Sequence, residues 1–335
     1  MSKKRNQVGI DVSSKTLVVE MKRSSDNGIA KGEFDNTTSG HKKLLKFVTK
    51  NGGSATVCME ATGNYHFEAA LLLAKSRKIQ VMIVNPKAMH HFGVAILQRA
   101  KTDSCDAHII LEYLLRMDFK QWQMPSDNKI TLNRLARRLA QLKKMMTQEK
   151  SRRSAAEFQG KNGKEIIKSI NKTITLFEKQ IAAIQKLAVK LINDDDDLKN
   201  TFELLTSAKG IAEVSGTQLI AELNMLPEGL TAAQWVAFAG LDPKPIESGS
   251  SVNKPRRISR HGNKYIRAAL YMPALVAIRH DPNVKAYYEK LLDAGKKKMQ
   301  AIVAVMRKLL LAIWGMLNAN KNWDGTKFYK IENIA

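Results

Sequence analysis

The opening of the chain spells three short strands in succession, then helix and strand in alternation, and that order admits few folds. Residues 7 to 22 alternate apolar and polar side chains, are rich in Val, and break at Ser13-Ser14-Lys15; residues 28 to 36 read as a third strand after Ser24-Ser25-Asp26-Asn27-Gly28. Helical periodicity runs from Ser39 to Lys50, followed by a strand at Ala55 to Met59, a helix at Asn64 to Arg77 and a strand at Ile79 to Val84. One helix then opens near Pro86 and another spans about Thr102 to Arg116. An antiparallel meander of three strands followed by helix–strand units predicts an α/β, ribonuclease-H-like sheet rather than a doubly wound nucleotide fold.

Four carboxylates stand at fixed points of this pattern: Asp11 near the end of the first strand, Glu60 ending the fourth, and Asp103 and Asp106 at a helix start, three residues apart and so on one helical face. Thr102 is positioned to cap that helix, whose positive end offsets the repulsion between the two aspartates. Hard oxygen ligands of this kind suit Mg²⁺ or Mn²⁺, which keep part of their coordination shell for phosphate oxygens. Two such ions roughly 4 Å apart stabilise both the attacking and the leaving oxygen of an in-line displacement. Singly, each acid has a bland reading, Asp11 as a turn residue and Glu60 as a partner for lysine; as a set in this strand order they predict metal-dependent phosphoryl chemistry.

The rest of the chain is strongly basic, 55 Lys and Arg against 31 Asp and Glu, a formal charge of +24. Acids clustered in such a chain predict a metal site facing a polyanion, and nucleic acid is the obvious one. With 44% apolar and 26% charged residues and few Gly and Pro, no large part reads as disordered. Two cysteines, Cys58 and Cys105, predict reduced thiols and a cytoplasmic setting. The basic start, Met1 to Gln7, runs straight into a strand with no apolar stretch of signal-peptide length, and the longest apolar run, Met299 to Leu317, is broken by Arg307 and Lys308; neither secretion nor a membrane span is expected.

From about Asn128 to Ile192 long charged helices follow, broken at Gln159-Gly160-Lys161-Asn162-Gly163. Ile166, Ile170, Ile174, Phe177, Ile181, Ile184, Leu187 and Leu191 recur at spacings of three and four, as in a helical hairpin, a partner-seeking coiled coil, or a spacer packed on its own chain. Asp194 to Asp197 reads as a solvated linker. Residues 201 to 240 hold two or three short helices, in which Lys209-Gly210-Ile211-Ala212 resembles a helix-hairpin-helix turn that grips a DNA phosphate, or is a plain structural turn. The segment from Ser248 to His280 contains no Asp or Glu; it carries Lys254, Arg256, Arg257, Arg260, Lys264, Arg267 and Arg279 behind Ser248-Gly249-Ser250-Ser251, and reads as an anion-binding catalytic loop leading into an apolar helix, Tyr265 to Ile278.

With water as nucleophile the acids would make a hydrolytic nuclease or junction resolvase, with no need for residues 200 to 335. A serine nucleophile would keep the bond energy in a phosphoserine and allow rejoining elsewhere, with Arg256, Arg257 and Arg260 neutralising the phosphorus centre. Charge alone would also suit a non-catalytic nucleic-acid-binding scaffold.

The motifs resemble the DEDD transposases of the insertion-sequence family IS110 (IS-one-ten), related to the Piv-type DNA invertases. The resemblance covers nearly the whole chain. It rests on Gly9-Ile10-Asp11-Val12-Ser13, Met59-Glu60-Ala61-Thr62-Gly63-Asn64-Tyr65, Val84-Asn85-Pro86, Lys101-Thr102-Asp103-Ser104-Cys105-Asp106-Ala107, Ala239-Gly240-Leu241-Asp242-Pro243, Ser248-Gly249, and Ile258-Ser259-Arg260-His261-Gly262-Asn263 with Ile266-Arg267. It implies a RuvC-like domain (1–125), a coiled-coil helical segment (126–198) and a mainly α C-terminal transposase domain (199–335). Asp11, Glu60, Asp103 and Asp106 would be the metal-binding acids and Ser248 the nucleophile, with Ser250 and Ser251 close by as alternatives. Lys209, Gly210, Lys254, Arg256, Arg257, Arg260, Asn263, Lys264 and Arg267 would contact nucleic acid. The family further implies donor and target double-stranded DNA, a structured guide RNA, dimers that pair into tetramers, and a bacterial or archaeal cytoplasm. One departure is Arg260, where the family commonly has lysine; charge is kept but donor geometry changes.

Overall fold

The computed structural model describes residues 5–50, 53–96, 103–248 and 252–331, with side chains described except at 103–105, 161, 245–248 and 252–256. The chain divides into two compact units, Met1–Met124 and Pro125–Ala335.

In the first unit β1 (Asn6–Val12), β2 (Thr16–Lys22) and β3 (Ile29–Asp35) form the antiparallel meander; α1 (Thr38–Val48), β4 (Ala55–Glu60), α2 (Phe67–Ala74), β5 (Ile79–Val84), α3 (Pro86–Ala95) and α4 (Asp103–Arg116) follow. The sheet order is β3-β2-β1-β4-β5, antiparallel across β3, β2 and β1 and parallel across β1, β4 and β5. This mixed five-stranded sheet is compatible with the ribonuclease-H-like order expected from the sequence.

Both faces of the central strands are covered, which explains why β4 reads as a continuous apolar run. On one face Val8, Ile10 and Val12 pack with Leu44, Val57, Met59, Ala70 and Leu73 from α1, β4 and α2. On the other, Cys58, Met82 and Val84 pack with Met89, Ile109, Ile110 and Leu114 from α3 and α4. Burial holds the Cys58 thiol neutral, pushing it up to about 12. Gly9 lets α4 lie directly on β1: a Cβ there would come 2.4 Å from the Ala107 carbonyl oxygen and 2.4 Å from the Leu111 nitrogen.

The second unit is mostly helical. Helices α5 (Asp127–Glu157) and α6 (Lys164–Asn193) fold back on each other around a 3-10 turn at Gly160–Gly163. There follow α7 (Asp196–Ser207), α8 (Glu213–Leu223), α9 (Ala232–Ala239), the hairpin β6 (Pro243–Ser248) and β7 (Val252–Ile258), α10 (Lys264–His280), α11 (Pro282–Asp293), α12 (Lys298–Ala319) and α13 (Gly325–Phe328). One core joins α5 (Leu132, Ala136), α6 (Ala188, Ile192), α8 (Leu219, Ile220), α10 (Ile266, Leu270, Ala274) and α12 (Val305, Leu309, Ile313). Helix α12 is long and apolar enough to cross a membrane, but its apolar side is a wall of this core.

The acidic run 194–197 is not a linker. Asp195 caps α7, its side chain accepting from the Leu198 amide at 3.1 Å and from Asn128 Nδ2 at 2.9 Å, and Asp196 and Asp197 sit in the first turn, where the helix dipole favours negative charge.

Candidate catalytic and nucleic-acid-binding sites

The β1–β4 register sets the acids of the first unit. Ile10 stands opposite Met59 in a parallel pair, so the next residues, Asp11 and Glu60, are neighbours on adjacent strands. They have the parity of Gly9 and Cys58, the face that α3 and α4 cover. Both are half-buried. Thr62 Oγ1 donates to Glu60 Oε1 at 3.2 Å, holding one carboxylate oxygen beside the strand end.

On α4, Asp106 is half-buried and immediately precedes Ala107, the residue whose carbonyl lies over Gly9. Asp103 occupies the position four residues before Ala107, one turn along the same helical line. Its side chain, and Thr102 with its capping role, lie outside the described residues. The sheet and helix bring Asp11, Glu60 and α4 to one face, although among the described residues no three His, Cys, Asp or Glu side chains are drawn together as a metal cluster. Asp11 and Glu60, carboxylates on neighbouring strands, are of the donor type that suits a hard divalent cation.

Two polar networks brace this region. Asn36 Nδ2 donates to the Ser13 carbonyl at 2.8 Å and to the Tyr65 carbonyl at 3.1 Å, with the buried His41 Nε2 on Asn36 Oδ1 at 2.7 Å, tying the β1–β2 turn to the loop after Glu60. Burial holds the His41 and His66 imidazoles below the usual histidine range. Glu20, which pairs with Gly9 across β1–β2, is buried; His108 Nδ1 of α4 lies 2.7 Å from its Oε1, and Lys31 Nζ lies 3.2 Å from Oε2.

In the second unit Ser248 lies at one end of a β-hairpin, and the apolar helix expected after the basic segment is α10. Ser248 closes β6 opposite Val252, and Lys254 and Arg257 stand on β7 opposite Ile246 and Lys244. Gly249, Ser250 and Ser251, and the side chains of Ser248, Lys254 and Arg256, lie outside the described residues.

After β7 the chain is pinned against the end of α9. Ser259 N donates to the Asp242 carbonyl at 2.8 Å and Ser259 Oγ to Asp242 Oδ1 at 2.6 Å; Arg260 N donates to the Gly240 carbonyl at 3.1 Å, and Asn263 N to the Phe238 carbonyl at 2.6 Å. Arg260 takes a left-handed backbone, φ 54°, unusual for a side chain of its size. Gly262 sits where a Cβ would come 2.2 Å from the Phe238 carbonyl oxygen.

Of the cations expected to contact nucleic acid, Arg257, Arg260 and Lys264 are exposed. Arg267 is committed internally, its Nη1 donating to the Ala239 carbonyl at 2.7 Å and the Gly262 carbonyl at 3.2 Å; burial and the nearby Arg260 charge lower its pKa. Asn263 caps α10. Gly210 has φ +101°, and a Cβ there would meet the Pro273 carbonyl oxygen at 2.4 Å, so this turn is shaped by packing on α10; Lys209 Nζ reaches the His280 carbonyl at 3.4 Å.

Sequence reasoning passed over one buried cluster in this unit. Glu222 of α8 receives Arg137 and Asn263. The signal was a lone acid inside the apolar run Leu219-Ile220-Ala221-Glu222-Leu223.

Comparison with known proteins agrees with the motifs. Residues 8–156 match the family model of the IS110 DEDD transposases, and residues 202–289 match that of the "Transposase IS116/IS110/IS902 family". The chain is 28% identical over 325 residues to the "Pilin gene-inverting protein" of Moraxella bovis, covering 96% of this chain and 98% of that protein, and equally to its Moraxella lacunata counterpart. It is 33% identical over 116 residues to the "Insertion element IS900 uncharacterized 42 kDa protein" of Mycobacterium paratuberculosis, 34% of this chain and 29% of that protein. Membership of a DEDD family suggests dependence on a divalent metal. The chain belongs to the IS110 family of transposases and is a DNA-rearranging enzyme.

Proposed function

We propose that this enzyme is a serine recombinase with a RuvC-like first unit: it cleaves and rejoins DNA strands through a phosphoserine on Ser248, with Asp11, Glu60, Asp103 and Asp106 holding Mg²⁺ or Mn²⁺. The observation that carries the reading is the register pairing Asp11 with Glu60 on the face packed by α4, the helix that bears Asp103 and Asp106. A divalent cation held by these acids would supply Lewis-acid polarisation of the phosphodiester.

Ser248 Oγ forms a bond to phosphorus as the P–O bond to the departing strand breaks, and the serine proton ends on the departing oxygen. The hydroxyl of a second strand then attacks the phosphoserine, a new P–O bond forms, and Ser248 is regenerated. Because no water enters, bond energy is conserved. Arg256, Arg257 and Arg260 offset the charge on the five-coordinate phosphorus. The near full-length likeness to the pilin gene-inverting proteins supports DNA inversion as the outcome, and the matching transposase family models support transposition.

The further reading is a three-part chain, 1–125, 126–198 and 199–335, acting in a bacterial or archaeal cytoplasm on donor and target DNA with a structured guide RNA, which would leave sequence choice to base pairing. In this reading the helical segment is a coiled coil that pairs protomers into dimers and then tetramers. Ile166, Leu176 and Leu187, all about half exposed on α6, support the pairing.

Recombination in cells carrying the native locus tests it. Ser248→Ala and Asp11→Asn should each abolish recombined junctions while nucleic acid still co-purifies with the protein; wild-type junction yield from Ser248→Ala would remove the serine from the mechanism.

A further inference from the structure

One carboxylate of the second unit is buried without any role in the apolar core around it. Glu222 is 2% exposed, flanked on α8 by the buried Ala221 and Leu223. A carboxylate taken out of water is costly unless it is both ion-paired and hydrogen-bonded. Here it is both: Arg137 Nε donates to Oε1 at 2.9 Å, Arg137 Nη2 to Oε2 at 3.1 Å, and Asn263 Nδ2 to Oε2 at 2.5 Å. Asn133, one turn before Arg137 on α5, donates to the Ala221 carbonyl at 2.9 Å, so α5 grips α8 at two points.

Stability alone explains such a pair poorly, since well-packed apolar side chains commonly replace a buried ion pair without loss. The third partner separates the two accounts. Asn263 Oδ1 accepts from the Tyr265 amide at 2.8 Å and the Ile266 amide at 3.3 Å, capping α10. A carboxamide is nearly symmetric, and half a turn about its last bond would point Nδ2 at those same amides, donor against donor. The strong acceptor on its far side forbids that rotation, and Glu222 is that acceptor. Arg137 also lies 5.2 Å from the Tyr265 ring centroid and Lys264 Nζ 5.3 Å, so the first turn of α10 is held on two sides.

Directly before Asn263 runs the segment pinned to α9, with Arg260 in its left-handed conformation. We propose that Glu222 is a positioning residue for strand transfer: ion-paired to Arg137, it fixes the Asn263 amide so that residues 259–262 and the first turn of α10 hold Arg260 and Lys264 in place for a nucleic-acid phosphate. This rests on the reading of the basic segment given above. The long helix α5 thereby acts on that segment through Arg137.

Reversing the polarity of one hydrogen bond tests the proposal. Glu222→Gln turns one acceptor into a donor facing Arg137 or Asn263. Glu222→Gln combined with Asn263→Asp lets glutamine donate and aspartate accept, keeps the charge of the pair and retains a good helix cap; Arg137 Nε keeps the remaining oxygen, while Arg137 Nη2, which shared Oε2 with Asn263, loses its acceptor. Junction yield is measured from the native locus, alongside co-purified nucleic acid and melting temperature. Glu222→Gln should lower junction yield at least about tenfold with nucleic acid still bound, the scale of a lost hydrogen bond to a charged group; the double variant should recover at least about threefold over the single one, as coupled neighbours do, and stop short of wild type because the Arg137 Nη2 contact stays lost.

Wild-type yield from Glu222→Gln, or a double variant no better than the single one, overturns the proposal. Should Glu222→Gln fail to fold, Arg137→Lys, which keeps charge but loses the two-pronged contact, is read the same way. Junction yield does not depend on which serine attacks: an active Ser248→Ala would topple the nucleophile and leave the Glu222 result standing, whereas an active Glu222→Gln beside an inactive Ser248→Ala would topple the positioning role alone.

Discussion

Gly9→Ala should inactivate strand transfer through a single methyl group. The added Cβ would lie 2.4 Å from the Ala107 carbonyl oxygen and 2.4 Å from the Leu111 nitrogen, both backbone atoms of α4, where 3.4 Å is ordinary contact. No rotamer relieves this, so α4 must retreat from β1 by about 1 Å, at a cost of about 1–3 kcal/mol typical of overpacking. Helix α4 carries Asp103 and Asp106 while Asp11 lies two residues along β1 from Gly9. The retreat would therefore open the proposed acid set, and a misplacement of that size lowers turnover by roughly a hundredfold. Junction yield, nucleic-acid co-purification and thermal melting read the three consequences: a near-complete loss of junctions, unchanged binding, and a melting temperature lower by several degrees. Gly315→Ala on α12, where a Cβ meets nothing within 4 Å, is the matched control and should be neutral or stabilising by up to about 1 kcal/mol. Wild-type junction yield in Gly9→Ala would refute the link between the β1–α4 packing and the acids.

Chelation of divalent metal should abolish junction formation and leave nucleic-acid binding intact, whereas loss of both on chelation would assign the metal to binding instead. His41 and His66 have pKa values depressed by burial, so the unfolded chain takes up protons first as pH falls below about 6.5 and the stability they contribute above that pH is lost; the melting temperature should drop between pH 7 and pH 5, and substituting both by Gln should flatten the drop. With its thiol raised to about 12, Cys58 stays neutral in the folded chain while the unfolded thiol ionises from about pH 9; a Cys105→Ser variant should therefore resist thiol reagents at pH 8 until denatured, and labelling at the unfolded rate would contradict the buried placement.

Much of the first unit was legible because its periodicity is strong and local. Alternation gave β1 to β3, an apolar run gave β4, and Asn85-Pro86 marked the start of α3, where Asn85 accepts from the Lys87 amide. The register that makes Asp11 and Glu60 neighbours was not legible, because it depends on parallel pairing between strands separated by two further strands and a helix. In the second unit β6 and β7 escaped notice because Pro243, Pro245 and Pro255 argue against strands, and the register shift between Lys244 and Ile246 brackets one of them. Asp194–Asp197 read as linker because a charge run carries no mark of which residue caps a helix. Asn263, Arg267 and Gly210, expected from charge and motif to contact nucleic acid, also have internal partners that no local pattern announces: a cap, a carbonyl clamp and a close turn. The Glu222 cluster joins residues 85 and 41 positions apart, a contact no local pattern encodes.

The most direct test of the account is a denaturing pulldown of the tagged protein from cells carrying its native locus, which supplies any guide RNA and DNA ends, scored for covalently attached DNA in wild type, Ser248→Ala and Asp11→Asn. The account predicts an adduct in wild type alone, with phosphate mapping to Ser248. An adduct that persists in Ser248→Ala, or DNA nicking with no adduct in any sample, would contradict it, the second result pointing to hydrolysis by water.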